Sequence, residues 1–399
     1  MNENIEVVVV GGGYAGVMAA NRLTQRADVH VTLVNPRPEF VERIRLHQLV
    51  AGTHDAVVDY RKILGERVRL VVDTVTRIDA AGRTVLLAGG DTLGYDHLVY
   101  AVGSGSADPR VPGAAEFAHP VTSLEEARQL RPVLAAAPAG APVTVVGAGP
   151  SGIEVAAELA EQGRAVTMVC GGVLGPYLHP KGRRSVAGRL AALGVTVLDG
   201  PGTKVAAVTE ETVRLADDRT LPSEVTIWTA GFGVPDLAAR SGLTTDALGR
   251  LLTDETLTSV DDPRIVAAGD SAAPSGVPYR MGCQSAVQLG PQAAETVLRR
   301  IAGEAPVPAT VGFAGQCISL GRRHGIFQVS DKADTANKHY LGSRPGAWVK
   351  ELICWSTVWQ LGQEARHPGK RTWWSKDAKR EQALRAVATE VPATTEHVS

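Results

Sequence analysis

The chain has 399 residues, 44% of them hydrophobic, with 41 Lys and Arg against 42 Asp and Glu and a net charge of −1. Nothing in that balance points to nucleic acid or another strongly charged partner, so no nucleic-acid partner is expected, and the length suits two or three domains. The four cysteines form no C-x-x-C or C-x4-C pair, which leaves no zinc-ribbon or redox-disulfide spacing and no expected metal site.

The N-terminal "MNENIEVVVV" lacks the basic region and long apolar run of a leader. No apolar run is long enough to span a bilayer, so a cytoplasmic protein with free thiols is expected. Its valines read instead as a buried first strand, Ile5–Val10. A G-x-G-x-x-G turn follows at Gly11, Gly13 and Gly16, then an alanine-rich helix and the β run "VHVTLVN". The first glycine makes the tight turn, the second admits a pyrophosphate, and the third lets helix pack on strand. The helix N-terminus offers free N–H groups to the phosphates. Gly11, Gly13, Tyr14, Ala15 and Gly16 are therefore candidate cofactor contacts.

"VERIRLHQLVAG" (41–52) comes next, with Arg43 as a further cofactor candidate and His47 read as a structural histidine. "YDHLVYAVGS" (95–104) is a β run ending in small residues, among them Ala101 and Gly103. A second unit, "VTVVGAGPSGIEVAAELAEQGRAVTMVCGG" (143–172), repeats strand, glycine turn, helix and strand. It nominates Gly147, Gly149, Pro150, Ser151, Gly152 and Glu154. "VTIWTAGFG" (225–233) ends like the 95–104 run and adds Ala230 and Gly231. Both runs read as places where the chain crosses between domains. "VDDPRIVAAGDSA" ends a further β run in Gly269-Asp270, where an Asp can accept hydrogen bonds from a flavin ribityl chain. The first turn, Gly269-Asp270 and the two crossovers together point to FAD.

On these motifs the sequence resembles the two-dinucleotide-binding-domain flavoproteins. It is most similar to type II NADH:quinone dehydrogenases and to the apoptosis-inducing-factor-like NAD(P)H:quinone reductases, over about residues 5–330. The resemblance implies an α/β fold of two Rossmann-like domains and a smaller C-terminal α+β region. FAD would occupy the first unit, and NADH or NADPH the second. It implies an FAD domain in two parts (1–114 and 236–312), an inserted NAD(P)H domain (115–235), a C-terminal domain (313–385) and a disordered tail (386–399).

The ribose acid is absent from both units. Asn35, followed by Pro36, stands in its place in the first, where the amide still bonds ribose hydroxyls. In the second the place falls at Cys170-Gly171-Gly172, which leaves the choice between NADH and NADPH open. Lys181, Arg183 and Arg184 read as the start of a solvated helix. Glu154 lies on the first helical turn after the second glycine motif. In the dehydrogenases this chain resembles, a glutamate there sits beside the nicotinamide–flavin contact and handles protons. Glu158, a turn on, reads as complementing its helix. Gln284 and Gln288 share a face of the helix predicted in 281–301. That helix resembles the A-Q-x-A-x-Q-x-G helix lining the quinone side of the flavin, with Cys283 replacing an alanine. Glu154, Gln284 and Gln288 are the candidate catalytic residues.

"FAGQCISLGRRHGIFQVSD" (313–331) reads as two β runs and resembles the hairpin opening the last domain of those reductases. Then Trp348, Leu352, Trp355 and Trp359 make one helical stripe. Trp373 and Trp374 follow among Lys370, Arg371, Lys376, Lys379 and Arg380. This suits peripheral contact with the inner face of a membrane; a core stripe or a homodimer contact is the competing reading. The expected activity is hydride transfer from NAD(P)H to FAD and onward to an acceptor, with a quinone favoured. The alternatives are a reductase for an iron–sulfur protein or biosynthetic intermediate, and an NAD(P)H-sensing interaction protein. Sulfide oxidation is disfavoured by the cysteine spacing.

Overall fold

The computed structural model describes residues 4–370 and 379–390. β1 (Ile5–Val10) lies at the centre of a parallel sheet, which is why its valine run is unbroken. Val7 and Val9 enter the core under α1 (Tyr14–Leu23), while Val8 and Val10 enter the core on the opposite face. The chain continues through β2 (Val29–Asn35), α2 (Leu46–Val50), β3 (Val68–Val72) and β4 (His97–Tyr100).

It then leaves this sheet and builds a second one from β5 (Ala118–Pro120), α3 (Leu124–Ala136), β6 (Pro142–Val146), α4 (Pro150–Glu161), β7 (Ala165–Val169), α5 (Pro180–Ala192), β8 (Thr196–Leu198) and β9 (Val225–Trp228). Its order is β5-β9-β6-β7-β8, all parallel. The chain then returns: β10 (Ile265–Ala267) pairs with β4, giving the first sheet the order β10-β4-β1-β2-β3, again all parallel. The fold is therefore two Rossmann-like units, one inserted in the other. The two crossovers meet, since Gly105–Ser106 pairs antiparallel with Phe232–Gly233.

α6 (Cys283–Ile301) packs against α1 so closely that a Cβ on Gly290 would stand 2.3 Å from the Ala15 carbonyl oxygen. The C-terminal part is an antiparallel sheet of β11 (Gly315–Ser319), β12 (Gly325–Ser330) and β13 (Ala336–Leu341), crossed by α7 (Ser343–Arg366). Gly346 of α7 sits directly on Gly325 of β12, where any Cβ would meet backbone at 2.3 Å. At its far end α7 is tied to α1 by the buried pair Arg22–Glu364. α8 (Arg380–Glu390) runs past the boundary drawn at 385, and Arg380 anchors it to Glu255 at 2.9 Å.

Two stripes of the same spacing compete on α7. The stripe facing inward is Lys350, Cys354, Thr357 and Leu361. The tryptophan stripe faces out, with Trp348 67% and Trp355 57% exposed, and Trp355 stacks on Trp359 at 5.8 Å. The core reading of that stripe is thereby overturned. Burying Lys350 is possible because a carboxylate waits for it on α4. Trp373, Trp374, Arg371 and Lys376 lie outside the described residues, as do 391–399 of the expected tail.

Candidate functional site

The two glycine turns are built alike. A Cβ on Gly11 would lie 2.3 Å from the Ala101 oxygen, and one on Gly16 would lie 1.8 Å from the Gly11 oxygen. In the second turn, Gly147 and Gly152 are held equally tightly, against Thr229 and against the Gly147 oxygen at 2.0 Å. The middle glycines differ: at Gly13 and Gly149 an added Cβ meets nothing within 4 Å. Packing demands the outer glycines, whereas the inner ones border open space. Gly13 and Gly149 are the N-caps of α1 and α4, neither helix has a side-chain cap, and neither carries an acid in its first turn. Free N–H groups and a positive dipole end therefore face each space, which fits a pyrophosphate. Pro150 and Ser151 open the second helix, and Tyr14 and Ala15 the first.

Asn35 braces the first turn. Its Oδ1 accepts from Gly12 N at 3.0 Å and its Nδ2 donates to the Arg37 oxygen at 2.8 Å. A carboxylate has no donor for the second bond, which accounts for an amide here. The Tyr60 hydroxyl donates to the Gly12 carbonyl at 2.7 Å, while Pro36 is exposed at the rim.

Residues from four segments converge beside this turn. Ser104 Oγ donates to Asp270 Oδ2 at 2.6 Å, and Gly282 N donates to Asp270 Oδ1 at 2.8 Å. Arg43 Nη1 donates to Ser104 Oγ at 2.9 Å and stands 3.8 Å from Asp270. Gly103 and Gly269 adopt positive φ values of 72° and 74°, and Gly269 lies against Ala15. At the other crossover, the Ala230 carbonyl accepts from the Trp228 indole at 2.9 Å and Gly231 turns at φ 84°.

Glu154 is not at the surface of the second turn but sealed beneath it. Its carboxylate accepts from Ser319 N at 3.0 Å and pairs with Lys350 Nζ at 2.8 Å and His47 Nδ1 at 3.3 Å. All three side chains are more than nine-tenths buried. Burial pushes the Glu154 carboxyl up, but His47, Lys350 and the Ser319 N–H outweigh it and hold it below its ordinary value. Burial pulls the Lys350 ammonium down, and the Glu154 charge more than restores it, well above the usual lysine range. Burial lowers His47 to about 4. At neutral pH the cluster is thus a carboxylate, an ammonium and a neutral imidazole whose Nδ1 faces the carboxylate. The buried Nε2 has no hydrogen-bond partner among the described residues. A second row of charge lies behind it. Glu158, pushed up by burial, meets Arg322 at 3.2 Å, Arg322 meets Glu351 at 3.2 Å, and Glu351 meets Arg45 at 2.8 Å. These contacts lock α2, α4, α7 and the β11–β12 turn together. Sequence reasoning missed Lys350, whose one signal was its place on the Cys354–Thr357–Leu361 stripe, and read His47 as structural, without its carboxylate partner.

The glutamines of α6 face backbone. Gln292 exchanges two hydrogen bonds with Thr310 at 2.9 and 2.8 Å, and Gln288 two with Gly312 at 3.1 and 3.2 Å. The Gln284 amide, oriented to satisfy both ends, reaches Gly315 O and Ala314 N at 3.2 Å each. The side chains form a ladder pinning residues 310–315 along the helix. Burial raises the thiols of Cys170 and Cys283 to about 12 and Cys354 to about 11, and lifts Cys317 too, so these thiols stay protonated at neutral pH. Among the described residues no group of side chains is arranged to hold a metal ion.

A family model for pyridine nucleotide-disulphide oxidoreductases matches residues 5–296. An NADH dehydrogenase-like protein of Mycobacterium tuberculosis is 33% identical over 294 residues, covering 67% of this chain and 72% of its own. A type II NADH:quinone oxidoreductase of the same organism is 28% identical over 75% of this chain and 73% of its own. Among solved structures, the sulfide:quinone oxidoreductase of Aquifex aeolicus superposes with a TM-score of 0.78 over 92% of this chain and 93% of its own, at 19% identity, a likeness of fold alone. With two matching cradles on two parallel sheets and this match over most of its length, the chain belongs to the pyridine nucleotide-disulphide oxidoreductase family and is an FAD- and pyridine-nucleotide-dependent oxidoreductase.

Proposed function

We propose that the protein passes electrons from NADH, through FAD, to a quinone. The reading is carried by the paired cradles: Gly13 and Gly149 border two separate anion-ready spaces on two separate sheets. The first turn, with Arg43, Ser104 and Asp270 beside it, holds FAD; the second holds the nicotinamide donor. FAD supplies the redox centre that takes two electrons from one substrate and gives them to the other. The protein's own part is to bind, orient and manage protons.

Reducing a quinone to a quinol takes two electrons and two protons, and NADH supplies the electrons with one of those protons. The other comes from water, and the buried cluster of Glu154, Lys350 and His47, whose Nε2 has no partner among the described residues, is the candidate relay for it. Gln284 and Gln288 position the 312–315 segment rather than exchanging protons themselves. The relative named for NADH:quinone chemistry supports the acceptor class.

Peripheral membrane contact through α7 is part of this reading. Trp348, Leu352 and Trp355 form an exposed apolar row, with Tyr340 and Leu341 of β13 also exposed. Indole rings suit the headgroup layer where a quinone is met. Among the described residues no helix is long and apolar enough to cross a membrane.

The test is an anaerobic titration of the purified protein with NADH, followed by a short-chain quinone, read through the flavin absorbance. Bleaching by NADH and recovery on adding quinone is the expected result. Bleaching without recovery would refute the quinone, and no bleaching would refute the donor.

A further inference from the structure

The second unit has no carboxylate where β7 ends: Cys170 stands there, half-buried, followed by Gly171 and Gly172. The adjoining strand supplies one. β7 and β8 run parallel in the register Thr167↔Thr196, Met168↔Val197, Val169↔Leu198, so the next pair is Cys170 and Asp199. Backbone bonds carry the ladder past both strands, from Cys170 N to Leu198 O at 2.8 Å and from Gly200 N to Gly172 O at 2.6 Å. Side chains alternate between the faces of a sheet. Met168, Cys170 and Val197 pack into one core, and Val169 and Leu198 into the other. Asp199 therefore stands on the Cys170 face, one strand spacing of about 4.8 Å from the vacant carboxylate position. It is exposed, and its carboxylate makes no hydrogen bond or ion pair among the described residues. A cation competes for the same place: Lys204 Cγ lies 4.0 Å from where a Gly171 Cβ would be.

We propose that Asp199 grips the adenosine ribose hydroxyls from the neighbouring strand and repels a 2′-phosphate, making the second unit select NADH over NADPH. This rests on reading the second glycine turn as the nicotinamide-nucleotide site. Moving the acid one strand outward keeps the negative charge at the sheet's carboxyl edge, where the ribose of such a nucleotide lies. Half-buried Cys170 then contributes packing instead of charge.

The experiment uses the full-length, FAD-loaded protein with NAD⁺ and NADP⁺, which transfer no electrons to the oxidised enzyme. Affinity is read from ligand-induced shifts of melting temperature and from quenching of tryptophan fluorescence. Wild-type protein is expected to favour NAD⁺, and Asp199→Asn to cut the NAD⁺/NADP⁺ preference about tenfold, the worth of one charged hydrogen bond. Lys204→Ala is expected to leave the preference within about twofold, as befits an exposed charge. An unchanged preference in Asp199→Asn, or one that follows Lys204 instead, overturns the assignment of Asp199. Failure of wild-type protein to bind either nucleotide overturns the reading of the second turn, and the inference with it.

Discussion

The ammonium of Lys350 stands 2.8 Å from the carboxylate of Glu154, and each side chain is less than a tenth exposed. The two come from segments far apart in sequence, α7 and α4, so the pair fastens the C-terminal part to the helix of the second glycine turn. Removing one member strands the other as an uncompensated buried charge. Lys350→Met is expected to lower stability by about 3–5 kcal/mol, and Glu154→Gln/Lys350→Met to recover most of it. Urea midpoints of the two variants measure this, and an equal loss in both would refute the coupling. Glu154→Gln alone is expected to keep its yellow colour while turnover slows at least about tenfold; unchanged kinetics would sink its proton-handling role.

His47 sets a pH dependence. Its folded pKa is about 4, below the ordinary 6.5, so between these values the unfolded chain binds the extra proton. Its contribution is present above pH 6.5 and is lost as pH falls from 6.5 through 4, by about 3 kcal/mol in full. The difference in urea midpoint between wild type and His47→Gln is expected to change across that window. A constant difference from pH 7 to 4 would refute neutral burial of the imidazole.

The glycines of one turn separate folding from binding. Gly149→Ala adds a methyl where nothing lies within 4 Å and φ is −74°, so the melting temperature should hold while NADH binding falls. Gly152→Ala drives a methyl onto the Gly147 oxygen and should lose several kcal/mol of stability, of order 3 or more. A melting scan with and without NADH separates them; equal thermal loss in both variants would contradict the open cradle.

Gln288→Leu frees both backbone groups of Gly312. A loss of about 1–3 kcal/mol is expected, with faster hydrogen exchange at Gly312. Slowed turnover with unchanged exchange would instead make this glutamine a participant in the chemistry.

Trp348→Ser/Trp355→Ser leaves the buried face of α7 untouched. Sedimentation with anionic phospholipid vesicles is expected to weaken about tenfold or more, as two interfacial indoles are lost. Turnover of a water-soluble quinone should persist. Equal sedimentation of variant and wild type would remove α7 from the membrane face.

The cradles were legible because a glycine turn is local. Strand, turn and helix are neighbours in sequence, and the packing that forbids a Cβ at Gly16 or Gly152 involves Gly11 and Gly147 a few residues away. The Glu154–Lys350–His47 cluster was not legible, because its members come from three distant segments and its partner groups include a backbone N–H at Ser319. On α7 the helical period was plain but the inward face was not. Two stripes share one spacing, and hydropathy favours the tryptophans. The choice was made by the Gly346–Gly325 contact and by a carboxylate on another helix. The Gln284–Gln288 face was readable by spacing too, yet its partner is irregular backbone, for which a sequence carries no pattern.

The place of β10 in the first sheet bears on how the chain is made. Ile265–Ala267 pairs with β4 only after the whole of β5 to β9 has been synthesised. The interposed sheet is continuous in sequence, so it can close on the ribosome while the first waits with β4 as an open edge. For that interval the emerging protein exposes the hydrogen-bonding row of His97–Tyr100, an edge open to mispairing with another nascent chain.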